Sequence, residues 1–367
     1  MGRLPNGMGA LAIALTLRQA GLPYQVVGAT TGAYALLSAV GGPLLGRLVD
    51  RAGQPRVLAG SAVIAAAGFL LVAVAPDAPA VALTGAALAG AATPPLEPCL
   101  RALWPSVVDR DRLERAYALD SGTQELIFVA GPLLVAACVA VSGPAAALWL
   151  AAALGALGVG IVATAPPSRR WAADHAPAHW LGALRSRQLT LLLVGLAGPG
   201  VAVGSLNVLV VAYAERQPVV AGPGGLLALH ALGAMLGAFI YGAIRWPLPA
   251  GPRTPLLAVC LALGYWPLCL VPGPLTMSAL LLLTGSFLAP LLAASFARVG
   301  ELAPRGTTTE AFAWLVTLFV AGNGLGGAVG GALLASGSLP LAGAAGAAGA
   351  SLGALVLLGA LRRPAPD

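Results

Sequence analysis

Long apolar runs alternate with short polar, glycine- or proline-containing breaks along almost the whole chain. A hydrocarbon core about 30 Å thick needs about 20 apolar residues per helix, so runs of this length are typical of membrane spans. The runs do not follow the period-two alternation of a β-barrel strand, and the backbone of a span in lipid must then pair within a helix. The pattern predicts 12 helices near residues 5–22, 26–46, 56–75, 79–103, 116–141, 144–165, 188–213, 219–245, 254–272, 275–299, 308–335 and 339–361.

Composition and charge support a membrane protein and predict its orientation. Of the residues, 58% are hydrophobic, and the mean hydropathy is +0.88. All 20 basic residues are arginine, which together with abundant Ala, Gly and Pro is typical of a GC-rich bacterial genome. With both termini in the cytoplasm, 18 arginines lie at inner helix ends and only Arg18 and Arg216 at outer ends, as the positive-inside rule requires. We therefore expect a multi-pass protein of the cytoplasmic (inner) membrane, and the net charge of +7 does not indicate nucleic-acid binding.

The longest break, 166–187, divides the chain into two sets of six predicted helices. A weak internal repeat supports this division, because the Phe-Val-Ala-Gly of residues 128–131 recurs at residues 319–322. The sequence predicts an all-α polytopic membrane protein with an N-terminal six-helix bundle (1–165), a cytoplasmic linker and a C-terminal six-helix bundle (188–367).

A charged turn separates the second and third apolar runs. Its sequence is Gly46-Arg47-Leu48-Val49-Asp50-Arg51-Ala52-Gly53-Gln54-Pro55-Arg56. It resembles the signature loop of the major facilitator superfamily, G-x-L-x-D-R-x-G-x-x-R. A plain cytoplasmic hairpin is the alternative interpretation.

The resemblance implies two bundles that rock about a central cavity, with this loop as a gating element. Asp50 would dock at the start of the eleventh helix, near Gly306–Thr309, where free amides and the positive helix end favour an anion. Arg47, Arg51 and Arg56 would complete the network, while Gly46 and Gly53 permit the tight reversal.

Further stretches look like those of actinobacterial drug- and metabolite-exporter-like members of that family. They include Arg101-Ala102-Leu103-Trp104-Pro105 and Ala116–Pro132. Within the second stretch, Gly131-Pro132 resembles the core of an antiporter motif, which is only partly present.

Ionisable residues inside the predicted spans are candidates for chemistry, because charge is costly in lipid. Glu97 and Arg101 are four residues apart and can pair on one helix face, so a structural and a functional role stay equally open. Asp120 is expected to be a helix-end acid satisfied by a nearby arginine. Glu125 would lie about 13 Å deep at 1.5 Å per residue. Burial favours the neutral carboxyl, as proton coupling requires. The proton-coupling candidates are Glu97, Glu125 and Asp120.

A second set of residues is expected near the substrate cavity. His230 is the one histidine within a predicted span, although a histidine bonded to a backbone carbonyl is the more common case. Prolines at 94, 95 and 98 would break or bend the fourth helix. The cavity candidates are Asn6, Arg101, Gln124, Asn207, His230, Trp314 and Asn323.

These features predict a secondary active transporter that works by alternating access, through proton-coupled efflux of a hydrophobic or cationic small molecule. Sparse polar residues fit a hydrophobic substrate better than a sugar. No nucleotide-binding loop, metal-ligand cluster or reactive constellation is found in the sequence, so an enzyme or a cofactor is not expected. The expected partners are the substrate, protons and lipid, and the chain is expected to be a monomer. An importer or uniporter of a small polar metabolite and a non-transporting membrane sensor are the alternatives.

Overall fold

A computed structural model of the chain describes residues 1–171, 181–217, 219, 222–244, 246, 248–335 and 337–361. The described residues form helices joined by short turns and loops. Proline lies in the first turn of several helices, where its missing N–H would be unpaired anyway. Three 3₁₀ turns lie at Arg110–Arg112, Gly182–Arg185 and Trp266–Leu270. The α-helices in this part of the chain are α1 Leu4–Gln19, α2 Tyr24–Ala52, α3 Gln54–Val74, α4 Pro79–Ala91, α5 Leu96–Val107, α6 Leu113–Ser142, α7 Pro144–Thr164, α8 Pro166–Arg170, α9 Arg187–Arg216, α10 Gly222–Ala243, α11 Ala250–Tyr265, α12 Pro274–Leu302, α13 Thr308–Ala335 and α14 Leu339–Leu361.

Ten helical segments within the described ranges are long and apolar enough to cross a membrane. They correspond to α2, α3, α6, α7 and α9–α14, with α6 and α11 extended by an adjoining 3₁₀ turn. Of the two other predicted spans, 5–22 corresponds to α1, which has 16 residues. The total of 12 spans and the cytoplasmic position of both termini stay predictions.

The predicted span 79–103 is not one continuous helix. It is broken between Ala91 and Leu96 into α4 and α5. Pro94 and Pro95 have no N–H to donate, so the helical hydrogen-bond pattern cannot continue through them. The backbone instead closes short turns, in which the Thr93 amide donates to the Gly90 carbonyl and the Leu96 amide to the Pro94 carbonyl. The break brings Glu97 into the first turn of a new helix.

The chain divides into two compact units that differ from the two halves of the sequence. The first unit consists of Met1–Val107, Leu126–Gly182 and Arg305–Ala313. The second consists of Val108–Glu125, Ala183–Pro304 and Trp314–Asp367. The division into residues 1–165, 166–187 and 188–367 stays a prediction, and residues 172–180 of that linker lie outside the described part.

The core of the first unit is built from apolar side chains of several helices. Met8 and Ile13 of α1, Phe69 of α3 and Leu148 of α7 are almost fully buried in one cluster. Tyr34 of α2 joins it and packs against Phe69, with ring centroids 5.9 Å apart.

Small residues bring the helices of the second unit into backbone contact. A Cβ at Gly237 of α10 would overlap the carbonyl oxygen of Ser286 in α12, and one at Gly204 of α9 would overlap that of Asn323 in α13. The same holds at Gly198 of α9, which faces Gly349 of α14. Such close approach is typical of helices packed in lipid, where association depends on van der Waals contact and not on hydrophobic exclusion.

The contact at Gly237 predicts a loss of stability when the residue is enlarged. We expect Gly237→Val to lower the free energy of unfolding by about 1–3 kcal/mol, because α10 and α12 must separate to admit the side chain. Thermal unfolding of the detergent-solubilised protein measures this. The matched control is Gly324→Val, because a Cβ at Gly324 of α13 meets nothing within 4 Å. Equal effects at the two glycines would contradict the packing argument.

Candidate functional site

The side chain of Asp50 caps the start of α13. Asp50 lies near the end of α2 and is 3% exposed. One carboxylate oxygen accepts the backbone N–H of Thr309 at 3.0 Å and the other accepts that of Glu310 at 2.8 Å. The first amides of a helix have no partner within the helix and carry partial positive charge, so a carboxylate satisfies both needs. All these residues belong to the first unit.

An ion pair lies one helical turn from this contact. Arg47 Nε donates to Oε2 of Glu310 at 3.1 Å, and its Nη2 donates to Oε1 at 2.7 Å. The Glu310 side chain is 2% exposed and that of Arg47 29%. A Cβ at Gly46 would stand 3.0 Å from the Glu310 Cα, so glycine lets α2 and α13 come together here. We call Arg47, Asp50, Thr309 and Glu310 the latch.

The other residues of the signature loop are placed differently. Gly53 ends α2 with φ +86°, a conformation that favours glycine, and its amide donates to the Val49 carbonyl at 2.9 Å. Arg51 and Arg56 are exposed, and the described residues offer no ion-pair partner to either of them. Of the three arginines expected in the network, the structure brings Arg47 to the latch.

Gln54 contributes to this region in a way that the sequence did not indicate. Its side chain is fully buried. Its Nε2 donates to the Cys99 carbonyl at 3.2 Å, and its Oε1 accepts a hydrogen bond from Ser168 Oγ at 3.1 Å. Gln54 thereby links the signature loop, α5 and α8. A buried amide network leaves no signal in residue spacing, so the sequence alone does not reveal this role.

Glu97 and Arg101 form a buried ion pair within α5. Arg101 Nη2 lies 2.5 Å from Glu97 Oε1, with side chains 1% and 11% exposed. The i,i+4 spacing places them on one face, as the sequence indicated. The two charges compensate one another, so Glu97 is a carboxylate with a fixed cationic neighbour.

The three polar residues of α6 differ in their surroundings. Asp120 is 5% exposed, while Gln124 and Glu125 are partly buried. Within the described ranges, the Glu125 carboxylate forms no ion pair or hydrogen bond. Asp120 and Gln124 both have interaction partners. Glu125 therefore differs from Glu97, which has Arg101 as a fixed counter-charge.

The remaining cavity candidates are spread over four helices. Asn6 of α1 is exposed at the edge of a small cavity that Tyr34 and Thr93 also line. His230 of α10 is 6% exposed, and its Nε2 has no hydrogen-bond partner among the described residues. The other three belong to the second unit: Asn207 of α9 is exposed, and Trp314 and Asn323 of α13 are partly buried.

A third ion pair, which the sequence did not predict, joins α6 to α11. Arg253 donates from both Nη atoms to the two carboxylate oxygens of Glu114, each at 2.6 Å. Arg253 is 2% exposed, and its guanidinium lies 5.4 Å from the ring centroids of Tyr241 and Trp246. The one available sequence signal for Arg253 is its place in Gly251-Pro252-Arg253, a weak glycine–arginine remnant of the signature loop in the second half of the chain. The partner could not be found from local spacing, because it lies 139 residues away.

The Glu114–Arg253 pair predicts that two glutamate-to-alanine substitutions lower the free energy of unfolding by different amounts. Glu114→Ala leaves the buried Arg253 cation without its counter-charge, and we expect a loss of about 2–4 kcal/mol in the free energy of unfolding. Glu301→Ala removes an exposed partner of Arg298, where we expect about 0–1 kcal/mol. Denaturant or thermal unfolding in detergent distinguishes the two. Equal losses would show that the Arg253 site is solvated enough to tolerate an unpaired charge.

Comparisons with known proteins agree with this architecture. No curated protein sequence matches the chain significantly. Among solved structures, the chain is similar to the E. coli fucose:proton symporter, with TM-score 0.69, 13% identity and 96% of each chain covered. It is also similar to a bacterial homologue of the iron transporter ferroportin in an outward-facing state, with TM-score 0.71, 14% identity and coverage of 98% of this chain and 100% of the other. The human organic anion transporter MFSD10 gives TM-score 0.71 and 17% identity over 95% of this chain and 88% of its own.

At these identities the structural neighbours show the fold alone. The family model described as the Major Facilitator Superfamily matches residues 4–282, which is most of the chain. The sequence match and the shared fold together indicate a membrane transporter and not an enzyme, and the chain belongs to the Major Facilitator Superfamily.

Proposed function

We propose that this protein is a secondary active transporter that works by alternating access. The observation that carries the proposal is the latch, in which Asp50 holds the first turn of α13 through two hydrogen bonds. The contact joins a helix of the first six predicted spans to one of the last six. It consists of hydrogen bonds and one ion pair, so it can form and break within a transport cycle. The Glu114–Arg253 pair likewise joins α6 to α11 and would act in the same way.

Under the predicted topology, these contacts lie on the cytoplasmic side of the membrane. With 12 spans and both termini in the cytoplasm, the α2–α3 turn and the starts of α6, α11 and α13 lie at the cytoplasmic ends. Closed contacts there would leave the opposite side free to open. The proposed location is the cytoplasmic membrane of a bacterium, and the proposed working unit is a monomer.

Glu125 is the carboxylate that we propose exchanges the coupling proton. A coupling group must bind and release a proton during the cycle, and a fixed cation beside it would hold it in the ionised form. Glu97 has such a cation in Arg101, whereas Glu125 is partly buried without one in the described part of the chain. The neighbours described as fucose:proton and proton:xylose symporters support the proton as the coupling ion.

The proposed substrate is a hydrophobic or cationic small molecule, and the proposed direction is efflux. Few uncharged polar side chains occur within the spans, so the chain offers few hydrogen bonds to a hydroxyl-rich ligand. The acidic residues Asp120 and Glu125 would favour a cation. Import of a small polar metabolite is the second candidate, which the two sugar symporters among the structural neighbours favour.

Proton flux in vesicles tests the coupling group. In proteoliposomes with an imposed pH gradient and lipophilic cations as probes, we expect substrate-dependent proton movement by the wild type. Glu125→Gln should reduce it at least about tenfold, the rate change that removal of a positioned proton-transfer group produces at minimum. Glu97→Gln should reduce it less, and Glu301→Gln at the exposed end of α12 should leave it unchanged.

Four outcomes would revise the proposal. Substrate movement without protons would exclude proton coupling. Loss of proton flux in Glu97→Gln alone would assign exchange of the coupling proton to Glu97 of α5 in place of Glu125. Uptake in place of efflux in sided vesicles would favour the import function. A complete absence of flux for cations and sugars alike would favour a non-transporting sensor on this fold.

Labelling of a cysteine placed in the latch tests whether the latch opens. A reporter, Thr309→Cys, is placed in a protein whose four cysteines (Cys99, Cys138, Cys260 and Cys269) are replaced by serine. Thr309 is fully buried, so its replacement should react slowly with N-ethylmaleimide while the latch is closed. Asp50→Asn removes the negative charge and presents an NH₂ donor to the helix amides. We expect labelling about tenfold faster, equivalent to about 1.4 kcal/mol. Asp77→Asn on the exposed α3–α4 turn is the matched control.

A further inference from the structure

The backbone that precedes α9 lies directly on the latch. Gly182 begins the 3₁₀ turn Gly182–Arg185 and has φ +54°. A Cβ at this residue would overlap Nη2 of Arg47 and both carboxylate oxygens of Glu310. The glycine therefore lies against the ion pair, and a side chain here would have to displace the Arg47 guanidinium and the Glu310 carboxylate. Gly182 and the latch belong to the same unit.

The other described end of the same connection is also fixed near the signature loop. Ser168 of α8 is fully buried and donates to Gln54, the residue that follows Gly53. Trp171 packs against the cluster that contains Val49 and Leu96. Both described ends of the predicted linker thus contact the segment formed by the end of α2 and the start of α3.

We propose that Gly182 is a positioning residue of the latch, whose place against the Arg47–Glu310 pair is coupled to the opening and closing of the latch. This inference rests on the proposed gating function of the latch. The Gly182 backbone shields the Arg47–Glu310 pair from water, and attraction between charges strengthens as water is excluded. When Gly182 moves away, water reaches the pair and the latch weakens. When the latch opens, the surface on which Gly182 packs is lost.

The proposal predicts that a single added methyl group opens the latch. With the Thr309→Cys reporter described above, Gly182→Ala should increase the rate of labelling by N-ethylmaleimide at least about fivefold, the lower end of typical coupling between sites. Measurement in lipid vesicles without substrate separates this effect from transport. Gly21→Ala is the matched control, because Gly21 has φ +81° but open space where the Cβ would lie. It carries the same backbone strain without the overlap.

A double-substitution cycle separates overlap with the ion pair from general damage. In an Arg47→Ala protein the ion pair is absent and the Glu310 carboxylate is no longer held against Gly182, so adding Gly182→Ala should change the labelling rate by less than about twofold. Interaction between neighbouring residues appears as this departure from additivity. Gly182→Asn, whose side chain tolerates a left-handed backbone, serves as a second variant if the alanine protein folds poorly. It should accelerate labelling as the alanine variant does.

The outcomes test the role of Gly182 separately from the gating function of the latch. Suppose that Asp50→Asn accelerates labelling while both Gly182 variants label at the same rate as Gly21→Ala. The gating function of the latch is then supported and the role of Gly182 is overturned. Additive effects of Gly182→Ala and Arg47→Ala would overturn it as well. If Asp50→Asn leaves labelling unchanged, the gating function of the latch itself fails.

Discussion

The hydrogen bonds from the α13 amides to Asp50 are the interaction on which the rest of the site depends. A buried carboxylate is unfavourable unless charge or donors compensate it, and here two backbone donors at a positive helix end do so. Because the carboxylate faces the first turn of α13, Glu310 comes within reach of Arg47. The glycine at position 46 favours the same contact, since a Cβ there would lie 3.0 Å from the Glu310 Cα and 3.1 Å from the Thr309 carbonyl oxygen and would require a small shift of the helices. One electrostatic contact thus determines the placement of several other groups.

The signature loop shows what a local pattern can and cannot predict. Its glycines and charges, together with the flanking apolar runs, indicated the family and the docking position of Asp50. They also suggested roles for Arg51 and Arg56, which the structure places in solvent. The motif records which residue types occur, but the direction of a side chain depends on the helix register and on neighbouring helices. The Glu114–Arg253 pair was missed for a related reason, since contacts distant in sequence leave no trace in spacing.

The apolar runs predicted most helices well because a membrane requires a minimum length of apolar sequence. The prolines near residue 94 also indicated a break, although a single span over 79–103 was still predicted. Hydropathy measures only side-chain polarity and is insensitive to the loss of two backbone donors. The break matters for the site, because it determines where α5 begins and hence how Glu97 and Arg101 meet. Glu125, by contrast, was identified from its expected depth in the span alone. Only the structure shows which groups surround its carboxylate.

The glycine contact between α9 and α14 has a consequence for the entropy of folding. At Gly198 the two helices meet backbone to backbone, because a Cβ there would overlap the Gly349 carbonyl oxygen, while the Val201 side chain packs on Gly349. Burying a side chain reduces its rotamer freedom, and glycine has none to lose. The glycines at this contact therefore bring the two helices together without the loss of side-chain entropy that a longer residue would incur.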